Sequence, residues 1–176
     1  MRFEWKRALA AGCLVAGLTI PASAGEDTHG ILNASFPEKG ILAAGQPTGE
    51  QLQLLAEDGY KTVIDLRPDA EPRGYDEVGA AKANGLAYVN IPVTGITLDK
   101  AAIDRFVAEL DKAERPVVIH CATSNRVGAL YYAWLREKGT PREEALAKGK
   151  AAGLKSPELI EKVDAALAGG GEKPKG

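Results

Sequence analysis

Val117-Val-Ile-His-Cys-Ala-Thr-Ser-Asn-Arg-Val-Gly-Ala-Leu-Tyr131 is the stretch whose reading decides the fold. Val117, Val118 and Ile119 are β-branched and apolar on both sides, as a strand of a buried parallel sheet requires. That strand stops at His120-Cys121. Four small or polar residues follow, Ala122, Thr123, Ser124 and Asn125, and Arg126 opens a helix. Apolar side chains then fall at Val127, Leu130, Tyr131, Trp134 and Leu135, offsets that lay one stripe against a sheet. Tyr131 and Trp134 belong to that stripe as core residues. The pattern predicts strand, loop and helix, with a thiol at the strand end. Backbone N–H groups of residues 122–126 and the positive end of the helix would face it, binding anions and favouring thiolate over thiol.

The flanking chain repeats the alternation of strand and helix. Ile41–Ala44 reads as a strand ending at Gly45, and Thr48-Gly49-Glu50-Gln51 is a capping-box pattern that starts a helix carrying Leu52, Leu54 and Leu55. Thr62–Leu66 is the next strand, closed by Arg67-Pro68-Asp69, where proline leaves the sheet. Tyr75–Ala83 is a weak helix ended by Asn84-Gly85, and Ala87–Ile91 a third strand ended by Pro92. Ile103, Phe106, Val107 and Leu110 then share one helical face. Thr140-Pro141-Arg142-Glu143 reads as N-cap, N1 and N3 of a further helix, and Ser156-Pro157-Glu158 begins the last. The order implies a three-layer α/β/α domain with a mainly parallel sheet. Ligands of such sheets bind beyond the carboxyl ends of the strands, where Cys121 falls.

The N-terminus has a different purpose. Arg2, Lys6 and Arg7 precede an apolar run, Ala8–Ile20, too short to span a bilayer, and Ala22-Ser23-Ala24 has the form of a cleavage site. Residues 1–24 are expected to be a secretory signal, residues 25–168 the domain and residues 169–176 a disordered tail. A lipoprotein site at Cys13 is a weaker alternative. Export, to the bacterial periplasm, would leave Cys121 as the single thiol, so no disulfide can form within the chain. The exported chain would hold 19 basic and 23 acidic residues. That balance argues against general binding to nucleic acid or to an anionic membrane surface. With His29 and His120 far apart and one cysteine, no metal-ligand spacing exists, and no cofactor is expected.

A thiolate is a strong nucleophile, and Arg126 adds a planar cation able to grip an oxyanion through two parallel hydrogen bonds. Together they suit attack on phosphorus or sulfur in an anionic substrate. Proton transfer to a leaving group would need an acid. Asp99, after the third strand, is the nearest candidate, although capping the following helix is its more ordinary role. Asp69 is a second. His120 suits a strand-end residue bonded to backbone better than a catalytic base, and Arg67 either lines the anion site or pairs with a local carboxylate.

The His120-Cys121 pair followed by Arg126, between an apolar strand and an amphipathic helix, resembles the signature of cysteine-dependent tyrosine and dual-specificity phosphatases. The stretch from about Ile41 to Leu135 is similar to bacterial phosphatase-like domains, including the beta-lactamase-hydrolase-like kind. The matching pieces are Ala44-Gly45-Gln46-Pro47-Thr48, Val63-Ile64-Asp65-Leu66-Arg67-Pro68, Tyr88-Val89-Asn90-Ile91-Pro92 and the Cys121 loop. The resemblance implies a cysteine-phosphatase fold, Cys121 as nucleophile, Arg126 as phosphate-binding arginine, and His120 as a residue that tunes the cysteine and orders the loop.

Three departures bear on activity. The spacing between Cys121 and Arg126 is four residues where phosphatases have five, a length shared with the beta-lactamase-hydrolase-like domains and many rhodanese sulfurtransferases. Ser124 stands where the short loops carry glycine, and a positive φ there would strain it. Val127 replaces a hydroxyl that helps the thiolate leave, so a phosphocysteine would turn over slowly. The expected function is hydrolysis of phosphate monoesters, on a phosphorylated small molecule or phosphoprotein, through a Cys121 phosphothiol. Two alternatives stay open: a sulfurtransferase with a Cys121 persulfide, and a non-catalytic anion-binding module.

Overall fold

The computed structural model describes residues 27–169, so the expected signal segment and residues 170–176 of the expected tail lie outside the described residues. The chain runs β1 (Ser35–Glu38), β2 (Ile41–Ala44), α1 (Gly49–Glu57), β3 (Thr62–Asp65), α2 (Glu77–Ala83), β4 (Ala87–Asn90), α3 (Lys100–Lys112), β5 (Val117–His120), α4 (Asn125–Glu137), α5 (Arg142–Ala151) and α6 (Pro157–Gly169). Five strands form one sheet in the order β1-β2-β5-β3-β4. The pairs β2–β5, β5–β3 and β3–β4 are parallel, and β1 joins β2 antiparallel.

Period-two alternation of apolar side chains makes the three layers. Ile41, Ala43, Ile64, Leu66, Val117 and Ile119 face one core, shared with α3, α4, α5 and α6. Leu42, Ala44, Val63 and Val118 face a second, shared with α1 and α2. The central strands β2, β5 and β3 are buried along their whole length, which is why they read as unbroken apolar runs. The last strand in sequence, β5, sits at the centre between β2 and β3. Its C-terminal end therefore lies beside the loops after β2 and β3, the place where such sheets bind ligands.

Local signals explain most boundaries. Thr48 and Gln51 form both capping-box bonds, at 3.1 and 2.9 Å, and start α1. Ile103, Phe106 and Leu110 are the buried face of α3. Tyr131 and Trp134 lie in the core with their rings 5.5 Å apart, and the Trp134 indole N–H donates to Asp111.

β3 and β4 end one residue before Leu66 and Ile91, α2 starts at Glu77 rather than Tyr75, and Gly169 closes α6; three further differences stand out. β1 carries Pro37 and a register irregularity, so no alternation marks it as a strand in the sequence. α4 starts one residue early, at Asn125. Thr140 does not cap α5; Pro141 occupies the cap position with no side-chain cap bond. The Thr140 N–H instead closes the end of α4, donating to Leu135 O at 2.9 Å next to Gly139 at φ +83°.

Candidate active site

Cys121 follows the last residue of β5, and its N–H donates to the Ala44 carbonyl of β2 at 3.3 Å. The residue is 1 % exposed, so it forms the floor of the site. Beyond it the loop is tied outward. The Ala122 carbonyl accepts from the Gln46 N–H, and the Thr123 carbonyl from the Asn33 side chain at 3.1 Å.

Ser124 then takes the left-handed conformation, φ +68°, that the short loop requires. A serine there carries a strain of about 1–2 kcal/mol. The chain offsets it with a hydrogen bond, because the buried Ser124 hydroxyl donates to the Ala152 carbonyl at 2.9 Å. This has a chemical consequence. Serine is a preferred N-cap residue, but this one makes no side-chain cap bond to α4. The first-turn N–H groups of Asn125, Arg126 and Val127 have no acceptor within the helix, so a ligand can take them. Asn125 is also tied back, its Oδ1 accepting from the Lys155 N–H at 2.7 Å and the Ser156 N–H at 3.2 Å.

Arg126 is held from outside the loop. Its Nη1 donates to Glu71 Oε1 at 2.7 Å and to the Val93 carbonyl at 2.9 Å, and its Nη2 donates to Glu71 Oε2 at 2.8 Å. Of the five guanidinium N–H donors, those left over, on Nε and on Nη2, share one edge. Burial works to lower the pKa of Arg126, but the Glu71 hydrogen bond and the charge of the neighbouring Cys121 outweigh it and raise it. The Arg126 hydrogen bond pulls the Glu71 carboxyl below its ordinary range against the opposing effect of burial, with Arg67 helping.

Arg67 pairs with a local carboxylate, the second of its two readings. Its Nε pairs with Glu71 Oε2 at 3.2 Å and its Nη2 donates to the Pro72 carbonyl. Through Glu71 it braces Arg126. The two arginines share one carboxylate, so Glu71 does not neutralise both of them.

The remaining candidates stand further out. Asp99 caps α3, its Oδ1 accepting from the Ala102 N–H at 2.9 Å, and is exposed. Asp69 is 98 % exposed and lies 3.9 Å from Arg73. Val127 is fully buried.

Behind β5, His120 is enclosed by residues from two other segments. Its Nε2 lies 2.7 Å from Glu77 Oε1 and 3.8 Å from Asp65 Oδ1, and all three side chains are buried. Glu71 and Glu77 were missed in the sequence, since each lies in the weakly patterned stretch 70–85 and acquires its role through residues more than forty positions away. The one available signal was that Arg67 expects a carboxylate within one helical turn.

Comparison with known proteins agrees with this geometry. Residues 26–163 match the sequence model of the family described as DSP-PTPase phosphatase fused to NAD+ kinase. A beta-lactamase hydrolase-like protein of Agrobacterium fabrum is 39 % identical over 95 residues, covering 52 % of this chain and 22 % of that protein. The chain thus spans about a fifth of the length of the curated relatives it matches. Among solved structures, a DUF442 protein of Shewanella putrefaciens, assigned to the phosphatases, superposes with a TM-score of 0.67 at 24 % identity. It covers 82 % of this chain and 97 % of its own. TpbA of P. aeruginosa, in a cysteine-to-serine form with phosphotyrosine bound, gives 0.62 at 19 % identity, over 78 % of this chain and 84 % of its own. These structures share the fold. With most of its length matched by the sequence model, the chain belongs to the family of DSP-PTPase phosphatases described as fused to NAD+ kinase.

Proposed function

We propose that the chain hydrolyses phosphate monoesters through a Cys121 phosphothiol. The observation that carries this reading is the edge of Arg126 that Glu71 leaves free. It offers two parallel donors beside the thiol, while the uncapped start of α4 offers N–H groups for the remaining phosphoryl oxygens. The Cys121 thiolate attacks phosphorus, an S–P bond forms, and the bond to the ester oxygen breaks. Asp99 is the candidate to protonate the leaving oxygen, since capping engages only its Oδ1. Water then attacks phosphorus, the S–P bond breaks, and phosphate and thiolate are released. A phosphorylated small molecule or phosphoprotein is the substrate class, and export through residues 1–24 places the reaction in the periplasm.

Hydrolysis of an aryl phosphate by the purified chain tests the reading. It is expected to be blocked by vanadate and abolished in Cys121→Ser. No phosphate release between pH 5 and 8, or a stable gain of one sulfur on Cys121 after thiosulfate, would overturn it. Asp99→Asn should slow alkyl esters more than activated aryl esters, since only the former need an acid. Export predicts a mature N-terminus at Gly25 by Edman sequencing of the secreted protein.

A further inference from the structure

We infer that Asp65, Glu77 and His120 form a structural site for one first-row divalent metal ion, zinc by its donor set. Each residue offers a ligand atom, and the three atoms lie within 4.8 Å of one another. His120 Nε2 stands 2.7 Å from Glu77 Oε1 and 3.8 Å from Asp65 Oδ1. Asp65 and His120 are register partners that end the parallel strands β3 and β5, so their side chains leave the same face of the sheet. Glu77, the first residue of α2, meets them there. The spacing of histidine and cysteine along the chain announces no such site, because two of its three ligands are carboxylates.

The state of the buried atoms singles this cluster out. All three side chains are fully buried. Yet neither nitrogen of His120 and neither carboxylate oxygen of Glu77 has a hydrogen-bond partner among the described residues. Their 2.7 Å contact is close without being a hydrogen bond. Orphaned polar atoms at this depth are costly, and protein interiors pair them. An ion held by Nε2 and by both Glu77 oxygens pairs three of the four. Charge points the same way. Arg73 is shared by both carboxylates, its Nε 3.5 Å from Glu77 Oε2 and its Nη2 2.7 Å from Asp65 Oδ2. One guanidinium offsets one of the two negative charges, and a bound cation answers the other.

The donors select the metal. An imidazole nitrogen beside carboxylate oxygens suits a first-row divalent ion, whereas magnesium and calcium take oxygen ligands. With Glu77 bidentate the donors number four and leave no open position, which is the closed form of a structural zinc site. Zinc bonds of about 2.0–2.2 Å span ligand atoms up to about 4.4 Å apart, so small side-chain shifts close the cluster on an ion. The outer shell is already built. Asp65 Oδ1 accepts from the Arg67 N–H at 2.8 Å, and its Oδ2 accepts from Arg73 and from the Tyr88 hydroxyl. Such bonds orient a ligating carboxylate. Asp65 and Glu77 also bracket residues 66–76, the irregular segment that carries Glu71. An ion between them pins both ends of that segment to β5.

Metal content of the untagged full chain tests the assignment and needs no turnover. The chain is unfolded, refolded with zinc chloride or with a chelator, and freed of loose metal by gel filtration. The zinc preparation is expected to hold one zinc per chain and to melt at a higher temperature than the chelator preparation. Cys121→Ser and His29→Asn should keep that zinc, since neither the thiol nor the His29–Asp58 pair belongs to the site. Glu77→Gln should bind zinc more than about 100-fold more weakly, beyond the effect of losing an outer-shell partner. A zinc-free wild type, or identical melting of the two preparations, would overturn the proposal. So would zinc lost in Cys121→Ser or His29→Asn, or held equally by Glu77→Gln. Should Glu77→Gln not fold, the His120 ring ¹⁵N resonances of wild type decide: a large shift of one ring nitrogen on zinc addition supports the site, and an unmoved ring overturns it.

Discussion

Gly153, in the turn between α5 and α6, lies so close to Ser124 that a Cβ on Gly153 would meet the Ser124 Cβ at 2.7 Å. The cysteine loop is thereby seated on the connection between the last two helices. Gly153 has φ +105°, so alanine there meets both backbone strain and a collision. Gly153→Ala is expected to cost about 2–3 kcal/mol in urea denaturation. Ser124→Ala keeps the left-handed strain and strands the Ala152 carbonyl, costing about 1–2 kcal/mol. Ser124→Gly relieves the strain while losing the same bond, so its stability should fall within about 1 kcal/mol of wild type. A Ser124→Gly variant as unstable as Ser124→Ala would show that strain contributes nothing.

Glu71 gives the site an acid limb. Its carboxyl is lowered from the ordinary value of 4.5, chiefly by the Arg126 hydrogen bond. A lowered carboxylate contributes stability that is complete above its unfolded pKa and is lost as pH falls through the folded one. Glu71→Gln should therefore destabilise by about 1–2 kcal/mol at pH 7, discounted for partial exposure. The gap to wild type should close as denaturation is repeated at successively lower pH below 4.5. A gap of constant size down to pH 2 would contradict the pairing.

Arg126→Lys keeps the charge and loses the fork. A lysine cannot hold Glu71 through two bonds while presenting two more to an oxyanion. The expected loss in kcat/KM on an aryl phosphate is about 100- to 1,000-fold, with thermal stability moved much less. A loss below about tenfold would mean that the guanidinium edge is not what grips the phosphoryl group.

Val127 sits buried at the third position of α4, in the same core as Cys121, where the family resemblance expects a hydroxyl. Wild type is expected to show a burst of phenol release followed by a slow steady state. Val127→Thr, close to isosteric, should raise the steady rate several-fold at a stability cost of about 1–2 kcal/mol for burying the hydroxyl. Stopped-flow measurement on both proteins separates burst from turnover. A wild type with no burst would indicate that breakdown of the intermediate is not limiting.

Most of the scaffold was legible in the chain. Val117, Val118 and Ile119 are apolar on both faces because β5 is buried between two helical layers, and Thr48 with Gln51 announces α1 through bonds made within three residues. The cysteine, the arginine and the loop between them were legible for the same reason, as they are local. The supports were not. Glu71 reaches Arg126 across 55 positions and Glu77 reaches His120 across 43, and apart from the four-residue offset of Glu71 from Arg67 nothing in the sequence distinguishes these two glutamates from solvated ones. The antiparallel strand β1 escaped because Pro37 and an irregular register erase the alternation that marks a strand. Ser124 was read as a misfit for its position, and only the Ala152 carbonyl, far along the chain, explains how it is accommodated.

The depth of Cys121 bears on its survival as much as on its reactivity. Thiol–disulfide exchange requires a second sulfur to approach in line with the bond being made. At 1 % exposure, beneath a loop pinned by Asn33, Gln46 and Ala152, the thiol is out of reach of another protein's cysteine. The seating of the loop thus doubles as a shield, protecting an unpaired thiol from mixed disulfides with other proteins.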